Sequence, residues 1–279
     1  RTGSSGSGRW LGANTYSGVT TLNLSAAKVW EVDTLANYGV ASTLGTGASV
    51  SNASALVFTG AADSGLVYVG TSSVSTDRLF TLNSATATTG GAYFANNSGN
   101  NSTVVFANTG ALGFGGNANS NAQILGLGGS STGDNYFGPL IGNSGGGVYA
   151  TAVTKSGVGT WILGNSANSY TGATTVSAGT LVAVPGASLP SVSPLVLNGG
   201  VLQMSGTFSR TLAASPAAGT GTVTLQATAS GFAAGASKLV VNLNGGGSVA
   251  FGSGGFFTSP GADMVLGSDS ALAEVEFRN

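Results

Sequence analysis

The chain has 279 residues; 8 are basic and 9 acidic for a net charge of −1, 48 are glycine, and none is histidine or cysteine. Charged residues make up 6 % against about 25 % in an ordinary soluble domain, so hydroxyls and amides must wet the surface. The two zeros exclude the usual zinc ligand sets, Ser-His-Asp and Cys-His catalysis and disulfide staples, and the scattered basic residues give no concentrated footprint for nucleic acid.

With 42 % hydrophobic residues and a mean hydropathy of +0.29 the chain is too apolar for disorder. No run of 18 apolar residues occurs, so no spanning helix is expected. The start lacks Met and a signal-peptide pattern and reads as that of a mature or excised segment.

Hydrophobic periodicity is two nearly throughout. In chain order, strands are expected at Leu66–Val69, Thr103–Phe106, Val223–Leu225, Lys238–Leu243 and Ser248–Phe251, parted by Gly, Asn, Ser and Thr clusters. Pro139, Pro185, Pro190, Pro194, Pro216 and Pro260 all fall in small-residue loops. The expected class is all-β.

One motif occurs twice. Residues 8–21 read Gly8-Arg-Trp10-Leu-Gly-Ala-Asn14-Thr-Tyr16-Ser-Gly18-Val-Thr20-Thr21, and residues 159–175 carry Gly159, Trp161, Asn168, Tyr170, Gly172, Thr174 and Thr175 in the same order. The second copy is three residues longer between Trp and Asn, and its Tyr lies 154 positions after the first. Such a repeat reads as one coil of a β-solenoid. Trp10 and Trp161 point inward from a strand, Asn14 with Gly18 and Asn168 with Gly172 fill turns that need left-handed backbone or close approach, Tyr16 and Tyr170 cover the corner, and the Thr-Thr stretch starts the next strand.

Between the copies, Asp77-Arg78 reads as a local ion pair. Residues 79–154 hold a single charge, Asp134, and residues 110–147 hold 13 glycines. Interspersed Leu112, Phe114, Ile124, Leu125, Leu127, Tyr136 and Phe137 argue for packed coils there, with an inserted loop or hairpin near 128–147. Two units follow: 1–154 with this divergent Gly-rich region, and 155–279.

Segment 155–182, Lys155-Ser-Gly-Val-Gly-Thr-Trp161-Ile-Leu-Gly-Asn-Ser-Ala-Asn168-Ser-Tyr170-Thr-Gly172-Ala-Thr-Thr-Val-Ser-Ala-Gly-Thr-Leu-Val182, closely resembles the autotransporter-associated β-strand repeat of Gram-negative surface proteins. Leu195–Leu202, Phe208–Arg210, Gly252–Phe256 and Val275–Asn279 resemble the stretches between such repeats. The resemblance is strong over 155–279, moderate over 1–30 and weak over 60–150. It implies a right-handed parallel β-helix, export to the cell surface or beyond, and an adhesive or structural role, and it assigns no enzyme activity.

Patterns that carry chemistry elsewhere find no support here. Gly142-Asn-Ser144-Gly-Gly146 matches G-x-S-x-G but has no histidine to serve it. Glu31 with Asp33, and Glu274 with Glu276, alternate with apolar residues and read as the solvated side of half-buried strands. Trp10, Trp30, Tyr68, Trp161 and Tyr170 would stack on sugars only if exposed, and a solenoid needs them in its lumen. No catalytic residue, cofactor or metal is expected.

Coils of about 20–29 residues give on the order of 10–13 rungs, a rod of roughly 50–60 Å at ~4.8 Å per rung. End rungs leave strand edges unpaired, and Glu274-Val275-Glu276-Phe277-Arg278 is the candidate assembly strand. The expected function is an extracellular structural β-solenoid that joins head to tail with copies of itself. A glycan- or surface-binding adhesin module, with a surface glycan as partner, is the alternative. A polysaccharide-acting β-helix enzyme comes third. Neither nucleic acid nor membrane insertion by this segment is expected.

Overall fold

The fold was analysed in a computed structural model, which describes residues 2–3, 6–47, 53–83, 90–116, 120–183, 187–226, 229–258 and 261–279. Pro185 and Pro260 lie outside the described residues.

Every ladder between named strands is parallel, and the strands form three sheets. The first sheet stacks nine: Gly8–Trp10, Val29–Val32, Gly65–Tyr68, Gly90–Asn96, Gln123–Gly129, Thr151–Lys155, Thr174–Val176, Leu195–Leu197 and Val223–Leu225. The second also has nine, running from Val74–Thr76 through Val104–Phe106, Asn135–Phe137, Thr160–Leu163, Thr180–Ala183 and Val201–Arg210 to Ser230–Leu243, which carries both Met264–Leu266 and Val275–Phe277. The third has five short strands, Thr2–Gly3, Thr20–Leu22, Leu56–Phe58, Thr81–Leu82 and Gly113–Phe114. No α-helix occurs among the described residues, and no helix there is long and apolar enough to cross a membrane. This is the expected β-solenoid.

The cross-section changes along the axis. Early coils alternate between the first and third sheets, middle coils use all three, and coils after residue 140 use the first and second. Where a face has no strand, a non-strand segment such as 11–19 or 164–173 takes the side.

Coil lengths follow from the register of the first sheet. Gly8 pairs with Trp30 and Val29 with Gly65, advances of 22 and 36 residues. Val153 pairs with Thr174 and Thr174 with Leu195, advances of 21 each. This ladder alone counts nine rungs, about 38 Å at ~4.8 Å per step, and the parallel bridge from Leu225 to Phe256 carries the stack one rung further. The extra length sits in loops that leave and rejoin a coil without adding a rung.

The Gly-rich middle is regular. Gln123–Gly129 pairs on both sides, with Gly90–Asn96 and with Thr151–Lys155, and Asn135–Phe137 lies between Val104–Phe106 and Thr160–Leu163. The expected hairpin is confined to a tight turn, with Ser144 bridging Tyr149 antiparallel across Gly145–Gly147. Both long sheets run through position 154, which falls inside Thr151–Lys155.

Alternation directs one row of each strand into the lumen. Phe58, Phe80, Phe94, Phe106 and Phe137 form a stack of aromatic rings with centroids 4.7 to 6.4 Å apart, mostly tilted or edge-on as ring quadrupoles prefer. Leu125, Leu127, Val153, Trp161, Val176, Leu181 and Leu197 continue this core. Two buried asparagines are paired across coils. Asn96 Nδ2 donates to Asn135 Oδ1 (2.7 Å) and to the Ser102 carbonyl (2.8 Å), and Asn135 Nδ2 donates to the Thr160 carbonyl (2.9 Å).

Candidate functional site

The two motif copies sit in different surroundings. In the second, Trp161 is fully buried and its Nε1 donates to the Gly128 carbonyl at 2.8 Å, one coil away. Asn168 joins three coils: its Oδ1 accepts the Ile141 N–H (2.9 Å) and its Nδ2 donates to the Ser188 carbonyl (2.9 Å). Tyr170 is fully buried, with its hydroxyl 2.8 Å from Thr174 Oγ1. Burial pushes this phenol up to about 12, against the downward pull of the Thr174 bond. A side chain at Gly172 would collide with the Thr151 carbonyl, so the glycine serves close approach, as expected.

The first copy repeats these bonds on one side only. Tyr16 Oη lies 3.0 Å from Thr20 Oγ1, and Asn14 Nδ2 donates forward to the Thr43 carbonyl (3.2 Å). Asn14 Oδ1 accepts no hydrogen bond among the described residues, whereas Asn168 Oδ1 receives one from the preceding coil. Tyr16 is half-buried, Gly18 is exposed and Trp10 packs on Trp30 with centroids 4.6 Å apart. The copies also stand on different faces: Trp10 is in the first sheet and Trp161 in the second. The left-handed backbone expected at the motif asparagines and glycines is not found, since none of Asn14, Gly18, Asn168 and Gly172 has a positive φ. The asparagines hold their corners through side-chain bonds.

At the other end, Val275–Phe277 pairs in parallel with Leu239–Val241. Val275 and Phe277 pack on the core, while Lys238 bonds Glu274 (3.2 Å) and Glu276, which also bonds Arg278. Arg278 and Lys238 hold the Glu276 carboxyl down to about 2. Beside this strand, Phe251, Phe256, Met264 and Phe277 line a hollow together with Ser248 and Asn279, and Phe251 and Leu272 are largely exposed.

The Asp77–Arg78 expectation is corrected. Arg78 is buried, and its guanidinium donates to the carbonyls of Ala36 (2.9 Å), Leu44 (3.4 Å) and Gly45 (2.6 Å) while lying over the Tyr38 ring. Asp77 instead accepts the Tyr38 N–H at 2.8 Å. Lys155, also fully buried, donates to the carbonyls of Ser156 (2.9 Å), Gly157 (2.6 Å) and Ala178 (3.0 Å), and burial lowers its pKa to about 7. Each cation ties one coil to the next through backbone carbonyls.

The patterns tested for chemistry are occupied structurally. Ser144 Oγ donates to the carbonyls of Asn121 (2.8 Å) and Tyr149 (3.2 Å). Glu31 pairs with Arg9 at 2.6 Å, and Asp33 accepts from Gly12 N (2.9 Å) and Thr43 Oγ1 (2.9 Å). No group of three metal-ligating side chains occurs among the described residues.

One surface feature lies outside the expected residues. On the outer face of the first sheet, Asp63, Tyr93, Ile124, Gly126, Thr154 and Ser156 line an open hollow of about 360 Å³. Alternation puts Ala92, Phe94, Leu125 and Leu127 in the lumen and leaves Tyr93, Gly126 and Gly128 outside. The Tyr93 ring lies across those bare glycines: a Cβ at Gly126 would stand 2.7 Å from Cδ2, and one at Gly128 would meet the hydroxyl. The signal was present in Gly90-Gly-Ala-Tyr93-Phe-Ala and Ile124-Leu-Gly126-Leu-Gly128, which place a tyrosine and glycines on the face opposite the apolar row.

Parallel strands stacked coil on coil, with a Trp–Asn–Tyr corner that occurs twice, define a parallel β-solenoid. A family model described as Passenger-associated-transport-repeat matches residues 153–183, the segment that holds the fully buried copy. The chain is also 38 % identical over 173 residues to the adhesin BmaC autotransporter of Brucella suis biovar 1 (strain 1330), a match taking in 61 % of this chain and 5 % of that protein. No solved structure matches. The match over 153–183 and this relative support reading the chain as an autotransporter passenger repeat, a kind of protein exported to the surface of Gram-negative bacteria.

Proposed function

We propose that the chain is a structural rod segment of a surface adhesin whose end coils join further coils of the same kind, head to tail. The contrast between Asn14 and Asn168 carries this reading. Within the stack, the motif asparagine receives an N–H from the coil before it and its tyrosine is sealed from water. At the first coil the same side chains stand half-buried with that acceptor open. Apolar surface at the far end, including Phe251 and Phe277 beside the Glu274–Arg278 strand, supplies a complementary face, and strand edges of this sort pair readily with other chains. The relative's description as an adhesin supports the surface role, and the role proposed is not enzymatic.

Electron microscopy and sedimentation of the purified chain over a concentration series test the stacking. End-to-end particles that lengthen with concentration are expected. Single short rods at every concentration would overturn it.

A further inference from the structure

We infer that the hollow around Tyr93 is a binding site for a neutral saccharide, with the Tyr93 ring as the platform for a sugar ring. This goes beyond the rod reading and does not depend on stacking.

The floor is the middle of a sheet. Tyr93, Gly126 and Thr154 occupy consecutive rungs, each strand paired on both sides. The ladder therefore consumes the backbone groups beneath the hollow, and a peptide could not bind by adding a strand. What the floor offers instead is a tyrosine ring laid over bare glycines, so that one face packs on backbone and the other is turned outward. A ring face presented in this way suits the C–H face of a pyranose.

The rim supplies what sugar hydroxyls need. Asp63 is exposed and takes part in no ion pair or hydrogen bond among the described residues, which leaves both carboxylate oxygens free to accept. Thr154 and Ser156 put hydroxyls on the opposite wall. The Tyr93 hydroxyl likewise has no hydrogen-bond partner among the described residues. No basic side chain lines the hollow, so a phosphate, sulfate or acidic sugar would meet only the Asp63 carboxylate. From Asp63 to Thr154 the hollow crosses successive coils about 4.8 Å apart, room for a short oligosaccharide lying along the rod axis. Its volume is at the lower end of the roughly 300–1,000 Å³ typical of small-ligand sites.

A second outward tyrosine provides a control. Tyr136, on the outer face of the second sheet, is laid over Gly164 in the same manner but does not line this hollow. If covering glycine were the whole purpose of Tyr93, the two would behave alike.

The test is saturation-transfer NMR of the chain with neutral tri- and tetrasaccharides of glucose, galactose, mannose and N-acetylglucosamine, with a Lys/Arg oligopeptide as the competing ligand class. Transfer to the ring C–H protons of at least one saccharide is expected. Tyr93→Ala should weaken its affinity at least tenfold, Asp63→Asn several-fold, and Tyr93→Phe no more than about threefold, while Tyr136→Ala leaves it unchanged. Circular dichroism melting of each variant separates loss of the site from loss of the fold. Absence of transfer from every saccharide, transfer to the basic peptide alone, or equal losses in Tyr93→Ala and Tyr136→Ala would overturn the inference. A chain that binds sugar but never stacks would refute the rod reading and leave this one standing.

Discussion

At the residue scale, single side chains that bridge coils carry more stability than their polarity implies. Asn168→Ala strands the Ile141 N–H and removes the Asn168 donor from the Ser188 carbonyl. An orphaned buried backbone group costs about 1–3 kcal/mol, so chemical denaturation should show a loss of about that size. Asn14→Ala, at a half-exposed corner, should cost less than about 1 kcal/mol by the same measurement. Arg78→Met keeps the stem but takes the charged donor from three carbonyls of the 36–45 loop, leaving them only the hydroxyls of Thr76, Thr20 and Ser42. A loss on the order of 3 kcal/mol is expected, with hydrogen exchange of that loop accelerated before the rest. Lys155 predicts a pH effect of definite sign. Below pH 7 both folded and unfolded chains carry the ammonium, and its burial cost is borne in full. Between about 7 and 10.5 the folded chain releases a proton that the unfolded chain keeps, so stability rises with pH. Denaturation midpoints at pH 6.5 and 9.5 check this, and Lys155→Met should flatten the difference.

At the element scale, the coils show why parts of the fold were legible and others were not. Strand periodicity and the Trp–Asn–Tyr repeat identified the solenoid because both are local: one residue in two faces the lumen, and one corner recurs. The length of each individual coil is not legible in the sequence, because it depends on how far each loop travels before rejoining the stack. The 36-residue coil between Val29 and Gly65 holds a loop pinned by Arg78, whose partners are carbonyls, and carbonyls belong to every residue alike. Asn168 stands out as a motif residue, yet the sequence does not reveal how it acts. Turn-forming asparagines are common enough to suggest left-handed backbone, whereas its actual partners lie 27 residues before and 20 after. The Tyr93 hollow is hidden in the sequence for a related reason: its walls come from separate coils, and only the register brings them together. The aromatic stack is an element-level unit as well. Phe94→Ala, touching Phe58, Phe80, Phe106 and Phe137, should cost about 3–5 kcal/mol and broaden the thermal transition across the middle coils.

At the scale of the whole molecule, the two long sheets make every coil dependent on its neighbours and on little else. Stability in such arrays is close to a sum of coil terms and coil–coil interfaces, and the interfaces here are unequal. The middle ones combine seven-residue strands, the phenylalanine stack and the Asn96–Asn135 bond. The first joins Gly8–Trp10 to Val29–Val32 over three residue pairs. That gradient has a mechanical consequence. The backbone hydrogen bonds of a solenoid point along its axis, as do the Trp161–Gly128, Asn135–Thr160 and Lys155–Ala178 bonds, so a pull on a tethered rod stretches every interface in series with the same force. The rod then yields at its thinnest joint and one coil at a time. Each released coil lengthens the tether by some 21 to 36 residues of extended chain while the middle stays folded. A surface fibre built this way would absorb shear by paying out slack from its ends and hold its central face in place.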